Sequence, residues 1–134
     1  IDSQDRAKAL NNRLLAKGLK TVPVLMEINI AGEKAKDGFP PDFTVIEDAV
    51  RGIINLPGLD LRGFMTMGPA DADGPSLRPW FRKARKIFDE INSLDIPSFR
   101  MTTLSMGMSD SYIEAIEEGS TMIRLGSLVF GDRR

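Results

Sequence analysis

A chain of 134 residues with 42% hydrophobic side chains is the size of one domain and can bury a core. Its 18 basic and 19 acidic residues are mixed along the length, for a formal charge of −1, which excludes the clustered basic surface that nucleic-acid binding needs. With no cysteine and no histidine, disulfides, thiolate metal sites, thiol nucleophiles and imidazole chemistry are excluded as well, and a reducing, cytoplasmic setting is expected.

The chain opens at Ile1-Asp2-Ser3 without an initiator methionine, and these residues read as the end of a strand running into a helix cap. A piece of a longer protein is therefore expected. Ser3 caps a helix whose apolar positions Ala7, Leu10 and Leu14 recur at helical spacing, with Gly18 as its stop. The run VPVLMEINI (Val22 to Ile30) is too short and too apolar for a surface helix and predicts a strand. After the polar Gly/Pro loop AGEKAKDGFPPD, Thr44 and Glu47 have capping-box spacing, and Val45, Ile46, Ala49, Val50 and Ile53 make a helical stripe.

Pro57-Gly58 breaks the chain before LDLRGFMTM, the second predicted strand. Phe81, Ala84, Phe88 and Ile91 predict the next helix, with Pro79 tolerable in its first turn. RMTTLSMG predicts the third strand, Ser111 with Glu114 a second capping box, and STMIRLGS the fourth strand. Strands alternating with helices imply parallel pairing through right-handed crossovers. An open doubly wound sheet and part of a (β/α)8 barrel both satisfy that order. A complete barrel needs roughly 250 residues, so four strands here would be half of one.

Two stretches suggest ligand chemistry. From Ser105 to Ser109, a glycine after a buried strand lets backbone approach a ligand, and either serine adds a hydroxyl beside the next helix start. Gly126-Ser127 repeats a glycine-plus-hydroxyl corner after the last strand. In barrels the loops after the last two strands often hold phosphate, so the pair points there. Arg124, inside an apolar strand, should line a polar cavity or pair with a carboxylate. Glu27 and Asn29 share a strand face and would line the same cavity wall. Lys34 and Lys36 read as solvated loop lysines, Met65 and Met67 as packing, and the scattered carboxylates show no metal-ligand spacing.

The segments VLMEINIAGEKAKDGF, LRGFMTMGP, LSMGMSDSYIEAIEEGSTMIRLGS and VFGDR together resemble the pyridoxal-phosphate homeostasis protein family, which is related to the barrel domain of alanine racemase. The resemblance implies an α/β fold, a (β/α)8 barrel that binds pyridoxal 5′-phosphate (PLP) at the C-terminal mouth of its strands. By similarity, Ser105 and the Met106 backbone lie at the phosphate, Gly126 and Ser127 form the other half of the cup, and Arg124 faces the pyridine nitrogen. Ser127 stands where the family usually has threonine, so the hydroxyl is kept.

Family members carry their Schiff-base lysine on the first strand, upstream of a segment resembling IDSQDRAKALN. The resemblance therefore implies that residues 1–134 are one partial barrel domain, the C-terminal half with about strands 5–8, and that the lysine is absent. Expected partners are PLP, through non-covalent contacts at its phosphate end, or a free phosphate or sulfate ion. No nucleic-acid or membrane partner is expected, and open half-barrel edges suggest self-association. The implied function is PLP binding and homeostasis, without catalysis or with none established. The alternatives are a PLP-dependent racemase-like enzyme and an unrelated phosphate-binding half-barrel of a sugar-phosphate isomerase.

Overall fold

A computed structural model describes residues 1–131; Asp132 and Arg133, which end the last of the family-like motifs, lie outside them. Helix α1 (Gln4–Ala16) starts where Ser3 predicts, its hydroxyl accepting from the Arg6 N–H at 3.3 Å, and Gly18 follows its end at φ +60°. Strand β1 (Val22–Ile28) leads through the Gly/Pro loop to α2 (Phe43–Ile54). The capping box expected of Thr44 and Glu47 does not form. Asp42 is the cap, accepting from Val45 N–H at 3.1 Å, while Glu47 pairs with Arg51 one turn on. Aspartate is at least as good a cap as threonine, and Asp42 has the extended backbone that a cap requires.

Strand β2 (Leu59–Thr66) pairs in parallel with β1, and the short β3 (Thr103–Ser105) pairs in parallel with β2, so the sheet order is β1-β2-β3. Between β2 and β3 a 3-10 turn (Gly74–Leu77) enters α3 (Arg78–Ser93), with Pro79 in its first turn as predicted. Helices α2 and α3 are thus the crossovers. Period-two alternation then sorts the strand residues. Met26, Ile28, Leu61, Phe64 and Leu104 are buried together with Ile46, Val50 and Ile53 of α2 and Phe81, Phe88 and Ile91 of α3. Phe64 meets Phe88 edge-on, with centroids 6.2 Å apart. Glu27, Met65 and Ser105 lie side by side in register on the opposite face.

Alternation would fail without a break in β2. The pairing shifts register between Val24 and Leu25, opposite Leu61 to Gly63, so both Leu61 and Phe64 point into the helical layer. Gly63 sits in that break at φ +153°, where an added Cβ would lie 1.7 Å from the Thr103 carbonyl oxygen. Only a residue without a side chain fits there.

A further buried group was not anticipated. Asn11 of α1 is 5% exposed, and its amide oxygen accepts from the Gly58 N–H at 2.8 Å, fastening α1 to the entry of β2. Asn11→Ala would leave that N–H unpaired in a closed space. It is expected to cost about 1–3 kcal/mol, read as a lower urea midpoint at unchanged slope.

Both sheet edges carry single-residue pairings. Ile1 donates to the Leu25 carbonyl at 2.9 Å and accepts from Glu27 N–H at 2.8 Å, the parallel pattern, on the side of β1 away from β2. At the other edge the predicted fourth strand is reduced to one parallel bridge between Ser105 and Met122. The reason is Gly107. It turns the chain at φ +92°, and a side chain there would come within 2.5 Å of the Ala115 Cβ, so the ladder slips: beyond the bridge the Arg124 N–H reaches the Gly107 carbonyl, at 3.0 Å, where a regular parallel ladder would use Met106. What remains is stitched by hydroxyls: Thr121 accepts from Leu104 N–H at 2.8 Å, and Ser120 donates to the Met106 carbonyl at 2.9 Å.

Helix α4 (Tyr112–Glu117) is six residues long, and the capping box of Ser111 and Glu114 does not form. The Ser111 hydroxyl instead accepts from Met108 N–H at 3.2 Å and donates to Asp110 at 3.0 Å, closing the preceding turn on itself. Arginines on one face of α3 hold α4 from outside. Arg78 pairs with Glu117, Arg82 with Glu118 at 2.8 Å, and Arg85 donates to the Gly119 carbonyl at 3.2 Å. A four-residue helix, α5 (Ser127–Phe130), ends the described chain.

Candidate functional site

The C-terminal ends of β2 and β3 and the segment after α4 converge on Arg124. Its guanidinium donates to the Ser105 carbonyl at 3.1 Å and hydroxyl at 2.9 Å, and to the Thr66 carbonyl at 3.2 Å. One cation therefore ties together the ends of two strands and the bridging segment. Two forked N–H donors on one plane make this possible, which a lysine does not offer. Burial lowers the Arg124 pKa, and the Glu27 carboxylate on the same sheet face opposes that shift. A guanidinium stays charged at any ordinary pH even so.

Arg124 also forms the wall between two cavities. The larger, about 870 Å³, is an open groove bounded by Met108, Ser109, Leu125, Gly126, Ser127 and Phe130. The smaller, about 250 Å³, lies under Met67, Leu77 and Phe81 and is reached by Lys36. Asp110 stands on the rim of both.

In the groove, the N–H groups of Gly126 and Leu128 converge on one acceptor, the Ser109 hydroxyl oxygen, at 3.0 and 3.3 Å. Space above Gly126 is open: a Cβ there would meet nothing within 4 Å. Gly126, Ser127 and Arg124 are thus brought to one groove, as their spacing suggested. Ser105 and Met106 are not on it. Ser105 is 1% exposed with its hydroxyl under the guanidinium, and Met106 is fully buried with its N–H donated to the Met122 carbonyl at 3.1 Å. Ser109 was the second serine of the same corner, and the register of β3 decides between them: residue 105 falls on the strand, residue 109 on the loop beyond it.

Two loop residues also differ from their sequence reading. Lys34 is exposed, as expected, but Lys36 is half-buried and donates to the Gly68 carbonyl at 3.1 Å while pairing with Glu33. Asn29 faces its own loop rather than the cavity, donating to the carbonyls of Glu33 and Lys36 at 2.8 and 3.2 Å and accepting from Glu33 N–H at 3.1 Å. It thereby holds Lys36 in place. Among the described residues, no group of three metal-ligating side chains occurs, and no helix is long and apolar enough to cross a membrane.

Parallel strands with crossover helices on one face and cavities at the carboxyl ends of the strands define part of a barrel-type α/β domain. The chain belongs to the alanine racemase N-terminal domain family, whose profile matches residues 1–134. It is similar to the pyridoxal phosphate homeostasis protein of Aquifex aeolicus, with 33% identity over 100% of this chain and 57% of that protein. The protein of the same name from Haemophilus influenzae is 37% identical over 99% of this chain and 56% of its own length. PipY of Synechococcus elongatus, solved with PLP bound, superposes with a TM-score of 0.82 and 25% identity, covering 98% of this chain and 58% of PipY. The chain spans about half the length of the curated relatives it matches. Family membership sets aside the sugar-phosphate isomerase reading.

Proposed function

We propose that this chain carries the phosphate and ring-nitrogen end of a pyridoxal 5′-phosphate site, in a protein that binds and manages the cofactor without turnover of its own. The observation that carries this reading is the groove between Arg124 and Gly126. Its far wall presents two N–H donors already aimed at a single oxygen, and its near wall presents a fixed cation. That set fits a phosphate monoester at one end and an acceptor nitrogen at the other.

Roles follow residue by residue. The Gly126 and Leu128 N–H groups and the Ser127 and Ser109 hydroxyls take the phosphate oxygens, with Ser109 giving up its present place over the two amides. Arg124 donates to the pyridine nitrogen, and Ser105 positions Arg124. Bound PLP supplies an aldehyde and a ring able to withdraw electrons. Because Arg124 can donate a proton bond but not accept one, it keeps the ring nitrogen unprotonated and so weakens that withdrawal. Strong carbanion chemistry on the ring is thereby disfavoured, for a carrier and for an enzyme of the racemase type alike. Contacts from these residues are non-covalent.

The test is titration of the 134-residue chain with PLP, followed by absorbance, with inorganic phosphate as competitor. Saturable binding displaced by phosphate is expected. Gly126→Val, which the open space above the glycine lets the fold accept, should weaken both ligands by about tenfold, or about 1.4 kcal/mol. PLP binding indifferent to phosphate and to Gly126→Val would overturn the reading.

A further inference from the structure

We infer that the C-terminal end of α1 and the turn after it form a peripheral docking surface for a membrane rich in anionic phospholipid. The near-neutral total conceals one uneven stretch: five of the 18 basic residues and none of the 19 acidic ones fall in residues 6–26. Within it Arg13, Lys17 and Lys20 are exposed, and none has an acidic partner among the described residues. Apolar side chains stand among them: Leu15 is 50% exposed, Leu19 56% and Val22 37%. A single apolar residue in water is ordinary, but three so close in the chain and interleaved with cations make a mixed patch.

The fold sets this patch opposite the candidate site. Helix α1 runs antiparallel to the strands, so its end lies beside their starts. Thr21 donates to the Pro57 carbonyl at 3.1 Å and the Val22 N–H to Gly58 at 3.0 Å, which seats the turn against the entry of β2. Arg100, exposed before β3, adds a cation to the same end. Against these charges stand Asp60, already paired with Arg62, and Asp95 beyond α3. Both cavities open at the other ends of the strands, so a chain docked this way keeps its groove turned to solution. Neighbouring helices of a barrel flank α1 along its sides and leave the turn at its end open. The surface shares no residue with the PLP site and stands or falls apart from it.

Composition selects the partner. Protein interfaces are depleted in lysine and enriched in aromatic residues, whereas this patch has two lysines and no aromatic. A lipid surface instead favours point charges above phosphate headgroups and aliphatic side chains that enter the acyl boundary. Lysine stems can lie along that boundary while their ammonium groups stay among the headgroups. Attachment is from one side, by charge and shallow insertion together.

The experiment is sedimentation of the 134-residue chain with vesicles of phosphatidylcholine alone and of phosphatidylcholine mixed with phosphatidylglycerol. Binding to the mixed vesicles only is expected, and concentrated salt should release it. Near a membrane each cation is worth about fivefold in affinity, so Lys17→Gln with Lys20→Gln should weaken binding about 25-fold. Leu19→Asn should weaken it about tenfold, through lost insertion. Lys34→Gln, at the mouth end, should leave binding unchanged. All four positions are exposed, and the comparison of the two vesicle types uses the unaltered chain. No binding to the mixed vesicles, equal binding to neutral ones, or loss of binding in Lys34→Gln would overturn the proposal. So would displacement by soluble polyglutamate with Leu19→Asn silent, which would make the surface a site for an acidic protein.

Discussion

Gly63→Ala is expected to abolish the pairing of β2 with β3 and lower stability by at least about 3 kcal/mol, seen as a large drop in the urea midpoint or a chain that no longer folds cooperatively. The added Cβ would stand 1.7 Å from the Thr103 carbonyl oxygen, and that oxygen belongs to backbone in a parallel ladder that cannot rotate away. The φ of +153° is itself poor for any residue with a side chain. Losing the pairing moves Ser105 away from Arg124, so PLP binding should fail with it. Gly68→Ala is the control: its nearest obstacle, at 2.1 Å, is the end of the Leu77 side chain, which has rotamers to use. Wild-type stability in Gly63→Ala would show that the break in β2 is not held by steric exclusion.

Arg124→Met is expected to separate two properties of the site. The guanidinium supplies donors to the Ser105 carbonyl and hydroxyl and to the Thr66 carbonyl, at residues 1% and 0% exposed. Removing it should cost about 2–3 kcal/mol, because polar groups at the ends of two strands lose their donors at once. Affinity for PLP should fall by about tenfold or more, since the ring nitrogen loses its donor, whereas affinity for inorganic phosphate should stay within about twofold. Arg124→Lys should not restore PLP affinity, because a single ammonium cannot serve both strand ends and a ligand. Equal losses for PLP and phosphate would mean that Arg124 acts only by holding the fold.

The parts of this fold that were legible in the sequence are those governed by local periodicity. Helices α1 and α3 and strands β1 and β2 follow from apolar spacing, and Ser3, Gly18 and Pro79 sit where their chemistry puts them. The parts that were not legible depend on competition between neighbours. Thr44 and Glu47 have the right spacing for a capping box, but Asp42 takes the cap and Arg51 takes the glutamate. STMIRLGS has a strand's composition, yet the bend at Gly107 shifts the pairing after a single bridge, so no regular ladder forms. At the site, the triplet Arg124, Gly126 and Ser127 was readable as a corner. The different orientations of Ser105 and Ser109 were not, because both are serines near one glycine and only the end of β3 distinguishes them. Lys36 was misjudged for a similar reason. Its loop is polar in composition, but Asn29 folds it back over the strand ends.

The arginine strap between α3 and α4 makes the looseness of the site a property of the surrounding solution. A helix of six residues has little stability of its own, so α4 and the turn before it, which carries Ser109 and Asp110, are held by the buried Ala115 and by the grip of Arg78, Arg82 and Arg85 on the helix end. Such surface pairs are screened by electrolyte, and concentrated salt should slacken this grip before it disturbs the core. Acid acts on the same strap. Hydrogen bonding from Arg82 holds Glu118 below its ordinary carboxylate value, so the Arg82–Glu118 part of the strap is complete at neutral pH and is lost as the pH falls through that lowered value. Ionic strength and acidity therefore reach the groove from behind, through a helix that touches no ligand.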